Sequence, residues 1–160
     1  MATFQEALKE FYTGEVLGET IYSALFEAAT EPHEKRKWAT LLQLETETKA
    51  WLRPALLAHG VGVEEHAADR QMAIGIAGQF VPLTWSEKMQ KLKDLIEAQV
   101  LPTFQGFADA ATARGETEAE ALCRYMVEHE RAQAEFASLE LAGEGASSLG
   151  PISELLKYPI

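Results

Sequence analysis

The chain has 160 residues, 47% of them hydrophobic, and a formal charge of −11. That length buries one sizeable core and is too short for two ordinary domains, so residues 1–160 read as a single domain. A surface this acidic repels phosphate backbones and anionic lipid, and no stretch approaches the roughly 18 continuous apolar residues of a membrane span. Cys123 is the one cysteine and has no disulfide partner within the chain. No basic head followed by an apolar run marks a secretion signal, so the expectation is a cytoplasmic protein that binds neither nucleic acid nor membrane.

The first segment carries Phe4, Leu8, Phe11, Glu15, Gly18, Tyr22 and Phe26 on one helical stripe, widened by Ile21 and Leu25. The pattern predicts a helix from after Thr3 to near Thr30, ended by Glu31-Pro32, because proline disfavours helical geometry in the residue before it. Glu15 interrupts the core-facing row, and Glu19 sits one turn further along at its edge. The second segment, from about 32 to 58, presents Trp38, Leu41, Leu42, Glu45, Thr48, Leu52 and Leu56 on one face, again with an acid in the row. Arg53-Pro54 predicts a kink or an early end, and His59-Gly60 a terminus. If the two helices fold back on each other, Glu15, about 16 residues before the turn, and Glu45, about 14 after it, reach nearly the same height at a rise of ~1.5 Å per residue. Inward carboxylates at one level on facing helices are how a four-helix bundle builds a metal site.

Residues 60–83 contain too much glycine for a long helix and read as a crossover connection with a short helix at 67–74. Within it, Glu64-Glu65-His66 with Asp69 reads as a solvated turn. The third segment opens at Thr84 with Glu87 in capping-box spacing, then runs through Met89, Leu92, Ile96, Val100, Phe104, Phe107 and Ala111 to Arg114-Gly115. Pro102 inside it predicts a kink with a freed carbonyl at residue 98. The fourth places Leu122, Tyr125, Met126, His129, Ala132, Phe136 and Leu139 on its stripe and ends at Gly143. Residues 147–160 read as a tail with one short apolar turn docked on the surface.

The fold class that follows is all-α: an antiparallel four-helix bundle of two helical hairpins joined by one long crossover, with a short C-terminal tail. On this plan, and on Glu15, Glu45 and His129, residues 4–141 resemble the ferritin-like superfamily, the group that includes bacterioferritins and rubrerythrins. In its di-iron members each hairpin contributes one glutamate from its first helix and a Glu-x-x-His pair from its second. The resemblance implies Glu15 and Glu45 as metal ligands of the first hairpin, with Thr48 standing where the histidine is expected. In the second hairpin it implies His129 as the histidine, with Met126 where its glutamate is expected, and Glu97 as the third helix's glutamate. Glu97 lies about a turn from the expected level, one step off the Ile96 row. Glu19 and Glu128 are the substitutes if the fourth helix is rotated.

Carboxylates and imidazole suit iron, manganese or zinc, and Glu15, Glu45 and His129 are enough for one divalent ion with open positions. The residues demand no cofactor; iron and manganese are the ones such a site takes. Three readings stay open, and with them whether the protein is an enzyme. The foremost is a ferritin-like bundle of unassigned activity whose central polar site has lost the full di-iron set and holds a small molecule or serves as a scaffold. The alternatives are a mono- or dinuclear iron or manganese redox or oxygenase protein, and a heme-oxygenase-like helical enzyme enclosing a larger ligand. Trp38, Trp51, Trp85 and the apolar crossover predict a homodimer.

Overall fold

The computed structural model describes residues 2–160, and among these residues the chain is helical with no strand. Helices α1 (Phe4–Ala28) and α2 (Pro32–Ala58) are followed by α3 (Ala67–Phe80), α4 (Trp85–Leu95), a π-helical turn (Ile96–Val100), α5 (Leu101–Arg114), α6 (Thr117–Leu141) and the single turn α7 (Gly150–Ser153). None is long and apolar enough to cross a membrane. The ends are set by local chemistry. Thr3 with Glu6, and Thr84 with Glu87, each form a reciprocal capping box that satisfies N–H groups with no partner inside the helix. Pro32 enters the first turn of α2, where its missing N–H costs nothing. Gly115, at φ +66°, closes α5 in a left-handed conformation that a side chain would strain.

Two prolines act differently from one another. Pro54 does not end α2, which runs on to Ala58. Leu52 and Leu56 are fully buried on the inner face, whereas Pro54 and Ala50, whose carbonyl loses its partner, are exposed to water that can replace the bond. Pro102 follows the π turn, in which the Leu101 N–H bonds the Ile96 carbonyl. The predicted kink is thus a local widening by one residue. In the crossover, α3 extends beyond the expected 67–74 to Phe80. Ala73, Ala77 and Phe80 share one face buried against the rest of the molecule, and a side chain at Gly75 or Gly78 would meet open space. Tertiary burial outweighs the two glycines' low helix propensity.

Side-chain contacts give the order in which the helices lie together. Along α1 and α2, Gln5 donates to the His59 carbonyl (2.7 Å), Arg53 Nε to the Tyr12 hydroxyl (3.3 Å) and Thr46 to Glu19 (2.9 Å), and Tyr22 stacks on Trp38 with ring centroids 5.8 Å apart. Between the later helices, Trp85 Nε1 donates to Glu140 (2.7 Å), Arg131 to Gln105 (3.3 Å) and Arg124 to Thr112 (3.4 Å). In both sets the partner's number falls as the first residue's rises.

The core divides in two. One part gathers around Tyr22, Trp38, Leu41, Leu44, Phe80, Met89 and Phe136, the other around Leu8, Phe11, Leu52, Leu56, Phe104 and Met126. In α2 and α6 the change from one part to the other spans a buried polar residue, Glu45 or His129, and in α1 it falls just beyond Glu15, between Val16 and Tyr22. The tail is more firmly held than a surface turn: Ser148 and Ile152 are fully buried, Ser148 binding Glu140, and Gln43 donates to the Tyr158 carbonyl at 3.0 Å. Of the three tryptophans expected at an intersubunit face, Trp38 is wholly inside this chain and Trp85 packs against its core. Trp51, 39% exposed, lies against Tyr125. In the crossover Met72, Ile74 and Val81 remain exposed.

In the turn at 61–66, Glu64 and His66 are exposed, but Glu65 is engaged with its neighbours. Glu65 accepts from Lys49 of α2 (2.8 Å) and from Arg70 of α3, with Arg53 at 3.7 Å, and so ties the start of α3 to α2. The Lys49 hydrogen bond, reinforced by Arg70, holds the Glu65 carboxyl down at about 2 against the opposing effect of burial. A depressed folded-state value stabilises the protein above the ordinary 4.5, and the contribution is lost as pH falls through about 2. Glu65→Gln is therefore expected to lower the unfolding free energy at neutral pH by about 1–2 kcal/mol in denaturant titrations. The deficit should shrink as both proteins are titrated below 4.5 toward 2.

Candidate metal centre

Glu15 on α1, Glu45 on α2 and His129 on α6 are 1%, 2% and 0% exposed, and one ligand atom from each lies within 4.8 Å of the others. His129 Nε2 stands 3.5 Å from Glu15 Oε2 and 3.6 Å from Glu45 Oε1. Space for the Glu45 carboxylate comes from Gly18, one turn along α1 from Glu15: a Cβ there would lie 2.1 Å from Glu45 Oε2. Two further buried residues, Glu130 and Gln133, complete the surroundings. The Tyr22 hydroxyl donates to Gln133 Oε1, which turns the amide nitrogen toward Glu45 Oε1 at 2.8 Å and toward His129 Nδ1 at 3.3 Å. Glu130 Oε1 lies 3.4 Å from the same Nδ1.

These contacts ask opposite things of Nδ1, a donor for Glu130 and an acceptor for Gln133. Ligation of an ion through Nε2 would decide for Glu130, because a neutral imidazole that gives its Nε2 lone pair away carries its proton on Nδ1. Three buried glutamates then face a single imidazole. Burial, followed by Glu45 and Glu130, pushes Glu15 well above the usual carboxylate range. Burial also drives Glu45 up to about 8, with His129 opposing and Glu130 adding to the rise. For His129 burial works downward, but Glu45 and Glu130 outweigh it and the net shift is upward. The cluster holds more negative charge than its own residues neutralise, so it takes up either protons or a cation.

The donor set fits a cation. Glu15 Oε2 and His129 Nε2 are buried, face one another and have no hydrogen-bond partner. Such orphans are rare in a packed interior. Their 3.5 Å separation is long for a hydrogen bond and ordinary for two ligands each ~2.1 Å from a shared ion. Two carboxylates and an imidazole suit iron, manganese or zinc.

Three of the four residues singled out from the sequence thus come together, and Glu97 does not. It is exposed on the π turn and paired with Lys93 at 2.9 Å, because it sits one step off the buried Ile96 row. The substitutes lie elsewhere too: Glu19 binds Thr46 and Lys49 at the edge of the helix pair, and Glu128 is exposed beside Arg131. Thr48, where a histidine was expected, is buried with its hydroxyl unpartnered, and Met126 is a core side chain. Sequence reasoning missed Glu130 and Gln133. The signal was present, since Gln133 is one turn from His129 and Glu130–Gln133 repeats the spacing of Glu45–Thr48. Glu130 was hidden by its adjacency to His129, as consecutive helical side chains diverge.

A cavity of about 330 Å³ lies against the cluster, between α1, α3, α4 and the π turn, with Tyr22, Glu45, Glu130 and Gln133 at its inner end. Tyr12 and Tyr125 are occupied elsewhere, and burial pushes the Cys123 thiol up to about 11, which leaves it inert.

Gly18→Ala is expected to displace the Glu45 carboxylate and destabilise the protein by about 1–3 kcal/mol in denaturant unfolding. Gly14→Ala on the same helix, whose Cβ would meet only Phe104 Cζ at 3.6 Å, should be neutral or stabilising by up to ~1 kcal/mol.

Compared with protein-family models, characterised proteins and solved structures, the chain matches none, so its function must be read from its own residues.

Proposed function

We propose that this protein is a ferritin-like metalloprotein. In this reading α1–α2 and α4–α5 with α6 form two antiparallel hairpins of a four-helix bundle, with residues 59–84 as the crossover. The falling order of partner numbers within each pair of helices supports that arrangement. Glu15, Glu45 and His129 hold one divalent ion, iron or manganese, beside a cavity that admits a small molecule. The observation that carries the reading is the pair of orphaned buried atoms, Glu15 Oε2 and His129 Nε2, facing each other inside an acidic cluster.

The protein's residues would divide the work. Glu15 and Glu45 neutralise the ion, His129 adds the third ligand, and Glu130 keeps its proton on Nδ1. Gln133, held by Tyr22, fixes the orientation of the Glu45 carboxylate. The apolar side chains around the cavity limit water at the centre. A redox-active ion bound there supplies one-electron or oxygen chemistry toward a small substrate. A second metal would find Thr48 and Met126 where the di-iron pattern has ligands, which argues for one ion and against mineral storage.

The cavity favours one other reading, in which the cluster is balanced by protons alone and serves only to bind a small molecule. Its contact with α3 also suits a heme-oxygenase-like enzyme, although His129 is turned to the acids and no histidine lines the cavity.

Elemental analysis of untagged protein is expected to find close to one iron or manganese per chain, or to show its uptake by chelated protein. Glu45→Gln and His129→Ala should abolish it. Ion at about 100 times its dissociation constant should stabilise the wild-type fold by ~2.7 kcal/mol and leave both variants unchanged. A wild-type protein that takes up neither metal excludes this reading in favour of the proton-balanced one.

A further inference from the structure

The cavity opens between α3 and the π turn, where Met72 and Gln99 are exposed, and closes inward on Glu45, Glu130 and Gln133. Its 330 Å³ has room for roughly ten non-hydrogen atoms at ~30 Å³ each. Most of its wall is aliphatic or aromatic, so the body of an occupant must be apolar. The inner end decides what kind of head group that body can carry.

The donors there are already committed. The Tyr22 hydroxyl gives its hydrogen to Gln133 Oε1, and the Gln133 amide nitrogen is held by Glu45 Oε1 at 2.8 Å. What remains turned to the cavity is the carboxyl group of Glu130, which is itself over nine-tenths buried. A ketone, aldehyde or carboxylate head would set acceptor against acceptor and leave both desolvated without a partner. A hydroxyl or an amine brings the missing hydrogen.

We propose that the cavity binds a small molecule with an apolar body of this size and a single hydrogen-bond-donating head, a hydroxyl or an amine, received by Glu130. The inference rests on reading the acidic cluster as the working end of the cavity, and it does not require that a metal be held there.

The test is calorimetric titration of the full chain, as purified and after chelation, with 1-octanol, octylamine, 2-octanone and octanoate, which are matched in size. At least one donor-headed probe should bind about tenfold or more tightly than the ketone and the carboxylate. Whichever of octanol and octylamine binds more tightly names the head group. Glu130→Gln puts an N–H where only acceptors stood and should bring the ketone to within about threefold of the better donor probe. Ile76→Trp, which fills the mouth from α3, should abolish binding of every probe. Equal or preferred binding of 2-octanone or octanoate overturns the inference, as does wild-type protein that binds no probe, or binding untouched by Ile76→Trp. If Glu130→Gln does not fold, the probe series on the wild type and Ile76→Trp still decides. Donor selectivity in protein that takes up no metal leaves this inference standing and removes the metal. Metal uptake without donor selectivity does the reverse.

Discussion

Three buried glutamates facing one buried histidine in the middle of an apolar core set the conditions that the rest of the molecule meets. An uncompensated buried charge costs several kcal/mol, and a fully buried leucine contributes about 1.5–3 kcal/mol. The acidic layer therefore consumes what a few of the best core residues supply. Leu8, Leu41, Leu44, Leu52 and Leu56 are all fully buried on either side of it, with Trp38, Phe11 and Phe136 beyond. Two apolar halves clamp one polar layer, and the layer stays inside because the helices that carry it are anchored both above and below.

Within that layer, position is fixed by residues with no charge of their own. Gly18 lets α1 and the Glu45 carboxylate share a space that any side chain would fill. Gln133 converts the Tyr22 hydroxyl into an oriented amide and so decides which Glu45 oxygen is bonded and which remains available. Glu130 stands behind His129 and sets its tautomer once Nε2 is engaged. Glu45 and His129 held in this way are preorganised, because neither can rotate without breaking a buried hydrogen bond.

Access is governed by the least regular parts of the chain. The π turn interrupts the α4–α5 stretch, which contributes to both halves of the core, through Ile96 and Phe104. Across from it, α3 packs on α1 and is tied down by Glu65 through Lys49 and Arg70, so the crossover becomes a wall. The cavity lies where these two irregular elements leave the apolar layer incomplete, and it ends on the acidic cluster. Charge and space meet at one place in the fold.

By itself the sequence determined the helical periods, the capping boxes at Thr3 and Thr84, the breaks at Glu31-Pro32 and Gly115, and the placing of Glu15, Glu45 and His129 on core-facing rows. These depend on spacing within one segment, and 3.6-residue periodicity is visible without knowing the neighbours. The height match of Glu15 and Glu45 was legible for the same reason, since a short turn leaves little freedom between two rigid rods. Tertiary structure decided what depends on the approach of separate segments: that α3 persists through two glycines, that Pro54 is absorbed where its orphaned carbonyl faces water, and that Trp38 is core. It also decided that Glu97 points to solvent while Glu130 and Gln133 join the cluster. Whether a polar side chain on a helix ends in water or beside another charge is set by what packs against that face, and no local pattern carries that information.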